Sequence, residues 1–170
     1  MRTAAFVVLS LLGAGQLAAQ HDKGPQAKMI DHQKRMLLAM ADSMPERLYR
    51  DKATPAQRDF AQQIHHAASA AAYIVGATMG APRPNLPDTA TAFNSRQGLK
   101  QYITGAFDLA KSALESQTDA ARNETVDLFG TKMPRWQVWD EIFTHTVWTA
   151  GQVVANFRKH GMAPPAFTFF

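Results

Sequence analysis

The sequence predicts an all-α fold, a four-helix bundle with a long crossover between its second and third helices. Two observations support this fold: apolar residues recur at helical spacing along four long stretches, and the prolines fall between those stretches or at their ends. A chain of 170 residues indicates one domain, long enough to bury a core without covalent staples. The alternative architecture is a three-helix core with the first helix docked loosely on it.

The first two helices are bounded by proline signals. The first is predicted over roughly 25–44 and ends before Pro45, because proline cannot continue a helix interior. For the second, Thr54 is the expected N-cap and Pro55 the first helical residue, with the helix continuing to about Met79.

A proline-rich crossover, 80–93, leads to the third predicted helix over 95–116. The stretch "TDAARNETVDLFGTKM", 118–133, is expected to be an irregular connector, briefly extended at "ETVDLF" but without a sheet. The fourth helix is predicted from Pro134 to Gly161, where the glycine suits the position just beyond a helix end. The apolar tail that follows is expected to lie back over the bundle.

The N-terminus has the pattern of a secretory signal peptide. Arg2 precedes an apolar run from Ala4 to Leu12 and then small residues, and this run is too short to span a bilayer. Cleavage after Ala19 would leave a mature domain over 20–170 that is exported to the periplasm or secreted. An uncleaved membrane anchor is the alternative.

The composition excludes several kinds of chemistry and binding. The chain has no cysteine, so it forms no disulfide and has neither a thiolate nucleophile nor a thiolate metal ligand. The net charge of +4 comes from scattered basic residues, and no dense basic stripe with interleaved aromatics is present, so nucleic-acid binding is not expected. Any chemistry must use His, Asp, Glu, Ser, Thr or Tyr.

Histidine is the most informative residue type, and the six are His21, His32, His65, His66, His145 and His160. On the second helix, His66 lies off the apolar ridge in a row of polar residues that would line a cleft or form the solvated face. His65 points about 100° away, so the two neighbours are not expected to share one ion. For His21, His32 and His160 a structural role is favoured.

On the fourth helix, His145 and Thr149 lie at one border of the apolar arc, with Gln152 close by. A border position suits a group that faces a pocket, and it equally suits an ordinary half-exposed histidine. Periodicity alone leaves both alternatives open.

The segment "QRDFAQQIHHAA" and the C-terminal region resemble the DinB/YfiT-like family of four-helix metalloenzymes. The resemblance covers nearly the whole mature chain. Its closing pattern is a helix with His and Gly-Gln followed by R-x-x-G-x-x-P-P, found here as His145, Gly151, Gln152, Arg158, Gly161, Pro164 and Pro165.

The resemblance implies a metal site with one histidine from the second helix and an i, i+4 pair from the fourth. By position these match His66 and His145, while the third ligand falls on Thr149. A catalytic zinc site normally has three protein ligands and one open position, and a protonated threonine hydroxyl is a poor ligand. Glu141, four residues before His145, is the candidate substitute ligand.

Two functions are therefore expected from the resemblance. The preferred one is an exported protein that binds a small ligand in the bundle cleft without catalysis, its degenerate site holding zinc or nickel weakly or not at all. The alternative is a divalent-metal-dependent hydrolase or thiol-dependent S-transferase that uses His66 and His145. A homodimer is expected by family analogy only.

Overall fold

The computed structural model describes residues 22–81 and 84–169. The predicted signal peptide, its cleavage site and His21 lie outside the described residues. The helices and strands, in chain order, are α1 (Gly24–Ser43), α2 (Phe60–Met79), α3 (Thr89–Asn94), α4 (Arg96–Ser116), α5 (Asp119–Asn123), β1 (Thr125–Leu128), β2 (Thr131–Pro134), α6 (Arg135–Gly151) and α7 (Val154–Lys159). A single 3₁₀ turn, Glu46–Leu48, follows α1.

The predicted all-helical bundle is confirmed. Helix α2 packs against both α4 and α6, and α1 packs against the same two helices from the other side. The predicted apolar ridge of α2 is buried along its length and consists of Phe60, Ile64, Ala67, Ala71 and Ile74. Its alanines leave room for neighbouring helices to approach closely, which brings the polar side of α2 near α6. In the described part of the chain, no helix combines the length and the apolar character needed to cross a membrane.

The predicted start of α2 is wrong by about one and a half turns. Helix α2 begins at Phe60, and residues around Thr54 form a turn instead. Asp59 accepts a hydrogen bond from the Gln62 backbone N–H at 2.8 Å, and the Gln62 side chain accepts one from the Asp59 N–H at 3.1 Å. Arg50 also pairs with Asp59 at 2.7 Å. This reciprocal cap satisfies two otherwise unpaired N–H groups, so it defines the helix start better than Thr54.

The prediction of no sheet is also wrong. Strands β1 and β2 form an antiparallel hairpin in which Val126 pairs with Met133. The two turn residues, Phe129 and Gly130, both have positive φ, 53° and 86°, as a type I′ turn requires. Asp127 accepts a hydrogen bond from the Gly130 N–H at 2.7 Å. Phe-Gly is not one of the usual Asn-Gly or Asp-Gly pairs, so the sequence signal for this turn is weak. The connector also contains α5, and the crossover contains α3.

The fourth predicted helix is divided into α6 and α7. The Thr149 carbonyl accepts a hydrogen bond from the Gln63 side chain at 3.1 Å, and the Val153 N–H donates to the Ala150 carbonyl at 3.0 Å. The same Thr149 carbonyl also accepts from the Gln152 N–H at 3.3 Å, so α6 ends in a tighter 3₁₀-type turn beside the Gln63 bond. The end of α7 is as predicted: Gly161 has φ 67°, and the Met162 N–H donates to the Phe157 carbonyl at 3.0 Å.

The C-terminal tail returns to α1, as predicted. Met162 packs against the core, and the Phe167 ring meets His32 of α1 edge-on, with ring centroids 6.4 Å apart. His160 has the structural role expected for it, since its Nε2 lies 2.7 Å from the Asp51 carboxylate. Lys159 binds the same carboxylate at 2.9 Å, so α7 is tied to the segment between α1 and α2.

Candidate functional site: a cleft lined by histidines

A cleft of about 870 Å³ opens along one side of α2. Its wall is formed by alanines and a glycine of α2, and its larger lining side chains are His66, Tyr73, Leu86, Tyr102, Phe129 and His145. No acidic side chain among the described residues lines it. A second depression, of about 680 Å³, lies over the N-terminal half of α4, and the described residues that line it include no histidine.

His66 of α2 and His145 of α6 meet in this cleft although they are distant in sequence. Their ring centroids are 5.1 Å apart, and the ring planes make an angle of 78°. Because α2 and α6 pack along their length, the helix pair fixes this approach rather than a flexible loop. The predicted proximity of the two side chains is observed, whereas their role as metal ligands stays a prediction.

Both imidazoles are held towards the neutral form. Burial lowers the pKa of His66, and the positive charges of Arg58 and His145 lower it further. Burial also lowers the pKa of His145, again with a contribution from Arg58. A neutral imidazole offers one N–H donor and one acceptor nitrogen, and the Nδ1 of His145 is buried without a hydrogen-bond partner. That Nδ1 is enclosed by protein, so the other imidazole nitrogens supply hydrogen bonds to the cleft, and the positive charge of Arg58 acts on both rings.

Thr149 occupies the third metal position that the resemblance implies. Its side chain is buried, and its hydroxyl lies 3.5 Å from Nε2 of His145, at the outer limit of a hydrogen bond. Glu141, the expected substitute ligand, is exposed. The described residues contain no group of three His, Cys, Asp or Glu side chains placed to hold one ion. Two imidazoles and a hydroxyl do not fit the three-ligand pattern of a catalytic zinc site.

Gln63 is a structural partner of the site that sequence reasoning did not identify. It is buried, and its Nε2 donates to the Thr149 carbonyl at 3.1 Å and to the Gln152 side chain at 3.3 Å. Gln152, expected in the pocket, is exposed and lies beside this bond. Gln63 belongs to the polar row that contains His66, but nothing in the row distinguishes a residue that joins two helices from one that faces solvent.

His65 points away from His66, as predicted, and lies among aromatic rings. Its ring centroid is 4.0 Å from that of Tyr102 and 5.0 Å from that of Phe93. Burial lowers the pKa of His65 to about 4, with a smaller contribution from His66. Tyr102 thus contacts His65 and also lines the cleft. No sequence signal distinguishes Tyr102 from an ordinary core residue of α4.

The second and the last long helix bring two histidines into one cleft, which is the arrangement that the sequence resemblance implies. In a comparison with solved structures, the chain is similar to a DinB-like protein from Bacillus cereus, with a TM-score of 0.70 at 16% identity. The alignment covers 84% of this chain and 95% of that chain. The fold is therefore DinB-like. No family model and no curated protein matches the chain.

Proposed function

We propose that this chain is an exported DinB-like helical-bundle protein that binds a small ligand in the cleft between His66 and His145 and does not catalyse a metal-dependent reaction. The main support is the combination of a cleft of about 870 Å³ with a metal-ligand set that is incomplete among the residues the structure describes. Small-molecule sites typically have volumes of about 300–1,000 Å³ and few polar groups among apolar walls. The alanine-rich wall and the paired imidazoles agree with that pattern.

The arrangement supports binding by directional hydrogen bonds. His66 and His145 offer ring nitrogens at one end of the cleft, and the hydroxyl groups of Ser69 and Tyr102 lie nearby. Gln63 fixes the distance between α2 and α6, so the two imidazoles do not have to be ordered when a ligand binds. Preorganised polar groups of this kind favour affinity and selectivity.

The second candidate function is a divalent-metal-dependent hydrolase or thiol-dependent S-transferase. The 5.1 Å approach of the two imidazoles favours it, because two neutral histidines at this distance can share one ion. Against it stand the threonine at the third position and the charge of Arg58, which repels a cation. Export would also separate the protein from low-molecular-weight thiols, which are chiefly cytoplasmic.

Purification without a histidine tag distinguishes the two functions. Elemental analysis of the purified protein should find zinc and nickel well below one ion per chain. NMR screening of a fragment collection should find compounds that shift the imidazole signals of His66 and His145. One equivalent of zinc or nickel that is lost in His66→Ala would instead support the metalloenzyme.

Export has a separate test. N-terminal sequencing of protein recovered from the periplasm or medium should begin at Gln20. An intact N-terminus at Met1 on exported material would contradict cleavage, and retention of the whole chain in the cytoplasm would contradict export. The expected homodimer is checked by light scattering on the same material.

A further inference from the structure

Phe129 is an aromatic residue in a backbone conformation that disfavours it. Its φ of 53° lies in the left-handed region, where a bulky side chain costs free energy and asparagine or glycine is preferred. Its side chain is 73% exposed, so burial of the ring does little to offset that cost. Backbone strain of this kind is commonly found where a side chain contacts a ligand.

The position of the ring indicates where such a contact would form. Phe129 lines the cleft and faces Tyr73 of α2, with the two rings parallel to within 1° and their centroids 6.0 Å apart. Tyr73 is itself 62% exposed. The two rings stack on each other, and because each is mostly exposed, a planar group can stack on an outer face of the pair.

The polar end of the cleft lies farther along the same helix. His66 and Tyr73 are seven residues apart on α2, so they share a face and are separated by about 10 Å along the helix axis. His145 lies beside His66, and no acidic side chain among the described residues lines the space between the two ends. This end offers hydrogen-bond donors without a competing carboxylate.

We propose that the cleft binds a planar, conjugated organic carboxylate, with its ring against Tyr73 and Phe129 and its carboxylate towards His66 and His145. This inference rests on the proposed function and adds the chemical class of the ligand. The helical spacing favours an acid whose carboxylate is separated from the ring by a short spacer. The positive charge of Arg58, which acts on both imidazoles, further favours an anion at that end.

The test is an NMR titration of the mature protein with three probes of similar size. Cinnamate has both the ring and the charge, cinnamamide has the ring alone, and hexanoate has the charge alone. Cinnamate should bind about fivefold or more tightly than either partial probe and should shift the signals of His66, His145 and Tyr73.

Two variants identify the role of the ring. Phe129→Asn suits the turn and removes the ring, so it should weaken cinnamate binding about fivefold, weaken hexanoate binding by less than about twofold and not lower the unfolding temperature. Phe167→Asn is the matched control, since Phe167 is 72% exposed on the tail, where it meets His32 rather than the cleft. It should leave the binding of all three probes unchanged.

The possible failures can be told apart. Equal binding of the three probes, or cinnamate binding that is indifferent to Phe129→Asn, overturns this inference while ligand binding in the cleft stands. The same holds if only unrelated fragments shift the cleft signals. If no compound shifts them, the proposed function fails and this inference fails with it.

Discussion

His65 and His66 are neighbours in sequence, yet they lie on two sides of α2 with different environments. His65 stacks on Tyr102, and burial lowers its pKa to about 4. His66 faces a cleft and meets a histidine from another helix. One residue of helical rotation, about 100°, thus separates a half-buried residue that packs against aromatic rings from one that lines a site. Both residues are histidines, so their different roles follow from the face of α2 on which each one lies.

The largest expected difference between the two residues is in stability. His65→Ala removes the aromatic packing with Tyr102 and Phe93, so it should lower the free energy of unfolding by about 2 kcal/mol. His66→Ala borders an open cleft and should cost less than about 1 kcal/mol. Urea unfolding of both variants measures the contrast. Equal losses would mean that the two sides of α2 do not differ in packing.

The pH dependence of the free energy of unfolding also distinguishes the two histidines. The folded pKa of His65, about 4, lies below its ordinary value of 6.5, so the unfolded chain binds more protons between these values. The stability contributed by neutral His65 is therefore present above pH 6.5 and is lost as the pH falls towards 4, by on the order of 2 kcal/mol. His65→Phe keeps a ring that can stack and cannot titrate, so its unfolding free energy should fall less over this range. If the unfolding free energy of the variant falls with pH as much as that of the wild type, His65 is not neutral and half-buried as described.

Substitution of Gln63 tests how the cleft side of α2 is held to α6. Gln63→Leu keeps most of the volume but removes the donor to the Thr149 carbonyl, which should cost about 1 kcal/mol. The Thr149 carbonyl keeps its bond from the Gln152 N–H, but without the Gln63 donor it should accept from Val153 as well, which would make α6 and α7 more continuous. Amide exchange measured by NMR should show slower exchange at Val153 in the variant. Gln62→Leu is not a suitable control, because Gln62 caps α2. The control is Gln101→Leu at an exposed position of α4, which should change neither the free energy of unfolding nor the exchange rate at Val153.

The fold was largely predictable because its helices carry long apolar patterns. The ridge from Phe60 to Ile74 has a clear period and is buried as expected. The errors occurred where the outcome depends on competition between local or tertiary bonds. The Asp59–Gln62 cap outcompetes Thr54, the Phe129–Gly130 turn uses an uncommon residue pair, and the last long helix is divided at a turn beside the Gln63 bond.

The site was predictable only in part. Periodicity left His66 in a polar row and His145 at the border of an apolar arc, and it was the family resemblance that paired them. Phe129 could not be assigned to the cleft, because the hairpin that carries it was not predicted. Tyr102 has the sequence pattern of a core residue, and its second contact, with the cleft, depends on how α4 packs against α2.

Calorimetric titration with zinc near neutral pH measures whether the proposed metal site on the cleft side of α2 is incomplete. Wild-type protein offers two imidazoles, while Thr149→His restores an i, i+4 pair with His145 and brings the protein ligands to three. The variant should bind zinc more than about tenfold more tightly, a difference of about 1.4 kcal/mol, and His66→Ala should abolish the gain while His65→Ala should not. Tight stoichiometric binding by the wild type, or equal affinity of wild type and Thr149→His, would contradict this account.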